Sequence, residues 1–189
     1  MQIRLATPED ASKILDIYAD YCLKPMTFEL EPPTVSEMER RISETLLSYP
    51  WLVAIEQNQI LGYAYACAFR SRKAWRWSVE TSVYVAQNLH RRGIGAALYK
   101  QLLSILKAQG FVSAVAVITL PNPASVRVHE CFGFEQVGVF KNVGYKCDSW
   151  HDVAFFELGL NSPNSAPKEP DVIADVALNL GFNRSGIES

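Results

Sequence analysis

The chain has 189 residues, enough for one domain with a substantial core, and its 49% hydrophobic share is that of an ordinary globular fold. A formal net charge of -2 excludes a broad basic surface, so nucleic-acid binding is not expected and any anion site must be local. No apolar run is long enough to cross a membrane, and Met1-Gln2-Ile3-Arg4 enters a strand rather than a signal sequence, so a cytoplasmic protein without a membrane partner is expected.

Ile3-Arg4-Leu5 alternates as a short strand, and Thr7-Pro8-Glu9-Asp10 has the cap, proline and acids of a helix start. Ile14, Leu15, Ile17, Tyr18 and Tyr21 give that helix its buried stripe, and the prolines between Lys24 and Pro33 break it. Ser36 with Glu39 predicts a capping box opening a second helix through about Ser48, ahead of Pro50. Residues 51–56 and 60–66, joined by Gln57-Asn58-Gln59, read as an antiparallel hairpin. The loop that follows gathers Arg70, Arg72, Lys73, Trp75, Arg76 and Trp77, cations and indoles suited to an anionic head group on an aliphatic stem.

Residues 79–85 form an alternating strand, with Val79, Thr81, Val83 and Val85 on one side and Glu80, Ser82 and Tyr84 on the other. A helix over about 93–109 carries Ile94, Leu98, Leu102 and Ile105 at helical spacing and ends at Gly110. Between them, Arg91-Arg92-Gly93-Ile94-Gly95-Ala96 is basic, glycine-rich and placed at a helix start, where free amide hydrogens and the dipole favour an anion such as a diphosphate. The same residues equally describe a glycine turn feeding a packed helix, since neither a third Rossmann glycine nor a P-loop Gly-Lys-Ser/Thr is present. Residues 112–118 are apolar with little alternation, which predicts a strand buried on both faces. Asn122 precedes a helix to about Cys131, and 135–140 and 153–160 are the last strands. From Asn161 the composition is that of a flexible spacer, with a possible helical turn or two over 171–180, so a domain over 1–160 and a tail over 161–189 are expected.

The four cysteines are widely spaced without a Cys-x-x-Cys, and the three histidines are scattered, so reduced thiols and no metal are expected. Glu80 is the candidate base, because burial on a strand face raises a carboxyl pKa toward a useful value; a lone strand glutamate is otherwise solvent-facing.

The order His90-Arg91-Arg92-Gly93-Ile94-Gly95, Asn122-Pro123-Ala124-Ser125, Gly133-Phe134 resembles the GCN5-related N-acetyltransferase superfamily. Residues 49–54, Val79-Glu80-Thr81-Ser82-Val83-Tyr84-Val85, 108–111, 114–118, Val126-Arg127-Val128-His129-Glu130, 144–146 and 150–153 narrow the resemblance to its phosphinothricin and methionine sulfoximine acetyltransferase branch, over roughly residues 2–160.

The resemblance implies an α/β fold with a mixed, mostly antiparallel sheet, helices on both faces, and a split at the acetyl-CoA site where Val85 parts from the next strand. It implies main-chain contacts from Val83, Tyr84 and Val85 to pantetheine, diphosphate contacts from Arg91, Arg92, Gly93, Ile94, Gly95 and Ala96, a contact from Asn122 to the pantetheine arm, and one from Cys131 to the far end of the cosubstrate. Glu80 is implied as base. His129 fills a slot that often holds tyrosine, as an imidazolium donor to sulfur, a neutral relay, or a histidine satisfied within a helix contact. Phe28 either faces the acceptor or pins its loop, while Arg72, Trp75 and Arg76 contact the acceptor, Arg76 as a carboxylate clamp. The implied activity is direct acetylation of a small amino-acid-like α-amine by a homodimer. Alternatives left open are another amine (a protein amino terminus, a polyamine or an antibiotic) and a non-catalytic acetyl-CoA sensor.

Overall fold

The computed structural model describes residues 1–180, and the last part of the expected tail, 181–189, lies outside the described residues. Seven strands, β1 (Gln2–Leu5), β2 (Trp51–Glu56), β3 (Gln59–Ala68), β4 (Ser78–Val85), β5 (Ser113–Leu120), β6 (Glu135–Lys146) and β7 (Ser149–Gly159), form one sheet in the order β1-β2-β3-β4-β5-β7-β6. Every neighbouring pair is antiparallel except β4 with β5. The helices are α1 (Ala11–Cys22), α2 (Val35–Thr45), α3 (Ile94–Ala108), α4 (Pro123–Cys131) and α5 (Ile173–Asn179).

Both sheet faces are covered, which follows from the period-2 pattern of the strands. On β2, Leu52 and Ala54 join Leu98, Leu102, Ile105 and Leu106 of α3 in one buried cluster. Trp51 and Val53, pointing the other way, join Ile14 and Ile17 of α1 and Met38 and Ile42 of α2.

The hairpin expected over 51–66 is present, with a turn of two residues: Gln57 and Asn58 both take positive φ, as a tight hairpin between right-twisted strands requires. Helix α2 starts earlier than the expected Ser36–Glu39 box. Thr34 is the N-cap, its hydroxyl accepting from the Glu37 amide at 3.2 Å. The last two strands are much longer than 135–140 and 153–160. A register shift between Phe140 and Gly144, with Asn142 at positive φ and its amide held by Asp152 at 2.9 Å, hides the alternation beyond Phe140.

The composition of 161–170 predicts a flexible spacer, and the structure lays it down along the domain. Asn161 donates to the carbonyls of Lys107 and Phe111, and Asp171 exchanges main-chain and side-chain bonds with Gln109. Ile173, Val176 and Ala177 of α5 are buried in the α3-side cluster.

Candidate active site

The parallel ladder between β4 and β5 covers only Ser78–Glu80 opposite Ser113–Val115. The sheet therefore opens after Glu80, not at Val85 as expected. Thr81 closes the vertex, its hydroxyl 2.6 Å from the Tyr99 hydroxyl and 3.2 Å from the Val115 carbonyl. Beyond it lies a cleft of about 1090 Å³ bounded by β4, the start of α3, β5 and α4. Val117 is exposed and lines that cleft, so the expectation that β5 is buried on both faces fails where its neighbour diverges.

Strand parity decides which main-chain groups face the gap. The Ala86 amide bonds the Leu61 carbonyl and the Phe69 amide bonds the Ser78 carbonyl, so the even-numbered residues of β4 exchange bonds with β3. The N–H and C=O of Val83 and Val85 point the other way. Val83 lines the cleft beyond the end of the ladder with its main chain unpaired on that side. Tyr84 is paired with Tyr63, so it is not available as the main-chain partner expected of it; its ring stacks on Tyr63 at 5.1 Å. The Val85 carbonyl already accepts from the Tyr21 hydroxyl at 2.7 Å and lies 3.1 Å from His90 Nε2.

The turn into α3 holds Arg91 at φ 63° and Gly93 at φ 77°, a conformation that suits glycine. Gly93 is the N-cap and offers no side chain, while its carbonyl accepts from Ala97. The amides of Ile94, Gly95 and Ala96 precede the first intrahelical bond and stand at the cleft wall, donors at the positive end of the dipole. Arg91 lines the cleft with them. Arg92 is exposed and lies outside that wall. Asn122 caps α4, its side-chain oxygen accepting from the Ser125 amide at 3.1 Å, which leaves its amide nitrogen for the cleft. Cys131 is an exposed free thiol at the cleft wall.

Glu80 and His129 sit on opposite faces of the sheet. The odd side chains of β4 pack with α3, whereas Tyr84, of the same parity as Glu80, packs with α1. The Glu80 carboxyl is half-buried opposite Cys67; burial pushes its pKa up, and the Arg70 charge pulls against that. Burial and the Glu80 charge push the Cys67 thiol up to about 11. His129 is buried on the α3 side, with Tyr99 and Phe134 edge-on at 5.0 and 5.2 Å. Its Nδ1 donates to the Ser125 carbonyl at 2.8 Å, which leaves Nε2 as the acceptor nitrogen, buried and without a partner among the described residues. Burial lowers its pKa, with the Ser125 bond opposing, so the ring is neutral at pH 7 and the imidazolium reading gives way to the neutral one.

The basic loop is folded rather than loose. Residues Lys73–Trp75 make a 3-10 turn, closed by the Trp75 amide on the Arg72 carbonyl at 2.9 Å. Trp75 packs on Phe69 at 5.6 Å, and Arg72 is exposed. Arg76 is not open for a carboxylate: it is ion-paired with Glu169 of the tail, and its Nε donates to the Lys73 carbonyl at 2.9 Å. Phe28 packs on Gly144, where no side chain would fit, and lies outside the cleft wall, which fits the loop-pinning reading. The structure gives Tyr21 and Arg70 partners that the residue pattern does not assign to them. Tyr21 belongs to the α1 stripe yet reaches the Val85 carbonyl, and Arg70 faces the Glu80 charge. The signal for Tyr21 is its place as the last residue of the α1 stripe, next to Cys22 at the helix end.

The chain matches the acetyltransferase (GNAT) domain over residues 3–155. It is 40% identical over 171 residues to phosphinothricin N-acetyltransferase of Streptomyces viridochromogenes, covering 90% of this chain and 92% of that relative. It is 38% identical over 120 residues to L-methionine sulfoximine/L-methionine sulfone acetyltransferase of Pseudomonas paraeruginosa, covering 63% of this chain and 70% of that relative. Its fold matches the crystal structure of a GNAT superfamily phosphinothricin acetyltransferase from Sinorhizobium meliloti in complex with AcCoA, with a TM-score of 0.84 and 34% identity over 91% of this chain and 97% of that one.

Proposed function

The chain belongs to the GNAT acetyltransferase family, and on that premise we propose an acetyl-CoA-dependent enzyme that acetylates the α-amine of a small amino-acid-like acceptor of the phosphinothricin, methionine sulfoximine or methionine sulfone type. The observation that carries this reading is the split after Glu80, which opens a donor-lined cleft whose vertex is flanked by the residue that carries the half-buried carboxylate. The unpaired Val83 main chain fits an amide-bearing pantetheine arm laid along a strand edge, and the first-turn amides of α3 with Arg91 fit a diphosphate. Asn122 and Cys131 border the same cleft and complete the contacts assigned to the cosubstrate.

When bound, acetyl-CoA supplies the acetyl group as a thioester. The protein's own part is orientation and proton handling. An α-amine is largely charged near neutrality and must lose a proton before it can act as a nucleophile. Glu80, raised by burial, accepts that proton directly or through water. Val83 and the α3 amides hold the cosubstrate across the gap from it. His129, neutral and with Nε2 unprotonated, acts as a relay on the cosubstrate side rather than as a charged donor.

Arg72 and Trp75 are the acceptor-side contacts, with Arg76 reaching them through the loop it anchors, while Phe28 pins its own loop on Gly144. Residues 1–160 are the catalytic domain. The exposed Val137, Phe140, Val143, Tyr145 and Trp150 on β6 and β7 support a homodimer, as a patch that a second copy would cover. Four free cysteines support a cytoplasmic protein, and the acceptor class supports a detoxifying role. Among the described residues no helix is long and apolar enough to cross a membrane.

The test is thiol release from acetyl-CoA against phosphinothricin, methionine sulfoximine, methionine sulfone, ordinary amino acids, a polyamine and a peptide amino terminus. Turnover concentrated on the tetrahedral amino-acid analogues is expected. Turnover confined to the peptide or polyamine would overturn the acceptor class, and cofactor binding without any turnover would make the protein a sensor.

A further inference from the structure

The tail crosses the closed end of the sheet split and fastens to the end of α3 and to the loop between β3 and β4. Gln109, fully buried at the end of α3, donates its side-chain amide to the Ser48 carbonyl after α2 at 2.9 Å and to the Asp171 carbonyl of the tail at 2.7 Å. The Asp171 amide returns a bond to the Gln109 carbonyl at 2.8 Å. Below this joint, α5 buries Ile173, Val176 and Ala177 in the α3-side core. Above it, the tail meets the loop between β3 and β4. The Trp77 indole N–H donates to the Lys168 carbonyl at 2.8 Å, and Glu169 pairs with Arg76, whose guanidinium lies 5.5 Å from the Trp77 ring centroid.

The loop so held is the one that carries Arg72 and Trp75, and Trp77 leads directly into the strand bearing Glu80. Apart from the Trp75 contact with Phe69 and the two bonds of its own 3-10 turn, residues 72–76 have few ties to the domain. Arg76 Nε also bonds the Lys73 carbonyl, and the Trp77 carbonyl accepts from the Val112 amide at 2.8 Å; the side-chain ties of Arg76 and Trp77 beyond the loop go to the tail.

We propose that residues 161–180 are an intramolecular clasp for the acceptor loop, and that Glu169, through Arg76, and the Lys168 carbonyl, through Trp77, are positioning groups for acceptor binding. The assignment rests on the reading of residues 72–76 as acceptor-side. Arg76 then serves the acceptor by holding Arg72 and Trp75 in place rather than by clamping a carboxylate itself. An exposed ion pair contributes about 0.2–1 kcal/mol, so loss of Glu169 corresponds to roughly a 1.5- to 5-fold change.

The experiment compares the full-length wild type with Glu169→Ala, Glu169→Asp and Trp77→Phe by hydrogen exchange and by steady-state kinetics with phosphinothricin and methionine sulfoximine. Faster exchange at the Trp75 and Arg76 amides is expected in Glu169→Ala and Trp77→Phe, with recovery in Glu169→Asp. Acceptor KM should rise roughly 1.5- to 5-fold in the same two variants, with kcat and the KM for acetyl-CoA unchanged. Unchanged exchange in both variants overturns the clasp. Faster exchange with an unchanged acceptor KM overturns the positioning role, and a lower acceptor KM overturns it in favour of Glu169 competing with the acceptor. If the wild type turns over neither acceptor, the substrate reading has failed, and the exchange data alone decide whether the clasp exists.

Discussion

Glu80 and Val115 are the last partners in the parallel ladder between β4 and β5, and every chemical feature of the cleft is laid out from that point. The residue that ends the ladder also carries the half-buried carboxyl. Its main chain is tied to β3, its carboxyl faces the α1 side, and the next odd residues turn their amides into the gap.

If Glu80 takes the acceptor's proton, Glu80→Gln should lower kcat by about 10²- to 10⁴-fold while leaving acetyl-CoA affinity near wild type, as read by calorimetry and thiol release. The base works only when ionised. Burial raises its pKa, so activity should fall as pH drops through a value above the ordinary 4.5, and this acid limb should vanish in the variant. Removing a half-buried charge is not expected to lower the Tm.

His129 makes a stability prediction of opposite sign to that of a salt-bridged histidine. Its folded pKa is depressed, so its contribution is complete above the unfolded pKa near 6.5 and is lost as pH falls below that toward the folded value. Urea midpoints of the wild type at pH 7.5 and 5.5 should therefore differ more than those of His129→Gln. His129→Ala, which also empties a ring site against Tyr99 and Phe134, should cost about 2–4 kcal/mol at either pH.

Gly93 holds φ 77° at the head of α3, with nothing within 4 Å of the place a Cβ would take. Gly93→Ala should thus cost about 1–2 kcal/mol through backbone conformation alone, with Gly93→Asn milder because asparagine tolerates this region. Because the strain acts on the amides that face the cleft, the KM for acetyl-CoA should rise more than that for the acceptor.

Gly62 tests the β3–β4 pairing that sets the strand's parity. A Cβ there would come within 2.7 Å of the Tyr84 carbonyl oxygen, which is backbone and cannot step aside. Gly62→Ala should cost about 1–3 kcal/mol in thermal or urea unfolding. Gly138→Ala, where a Cβ meets open space, should stay within about 0.5 kcal/mol of wild type.

The parts of this protein that could be read from the chain are those set by short-range backbone chemistry. The hairpin turn near Gln57-Asn58, the glycine turn at Gly93 before α3, Asn122 ahead of α4 and the alternation of β4 depend on groups a few residues apart, and each falls where expected, the hairpin turn one residue shorter than its composition suggests. Alternation even separates Glu80 from Val83 and Val85 by face. It cannot say which parity bonds to β3, because hydrogen-bond phase belongs to a pair of strands. That phase is what leaves Val83 open and occupies Tyr84.

The same limit explains the other departures. The split falls at Glu80 because β5 diverges there, and Val117 is exposed for the same reason. Arg76 reads as a free cation until Glu169 is brought to it, and the tail reads as a spacer until Gln109 and α3 give its few apolar residues a surface to bury. Local propensity and the alternation of β4 were thus determined by the sequence alone, down to the residues that head α3, although the cap of α2 fell at Thr34 rather than Ser36. Strand phase, the vertex of the cleft and the partner of each charge were decided only by tertiary structure, because they depend on atoms distant in the chain that meet only once the sheet has closed on its two cores.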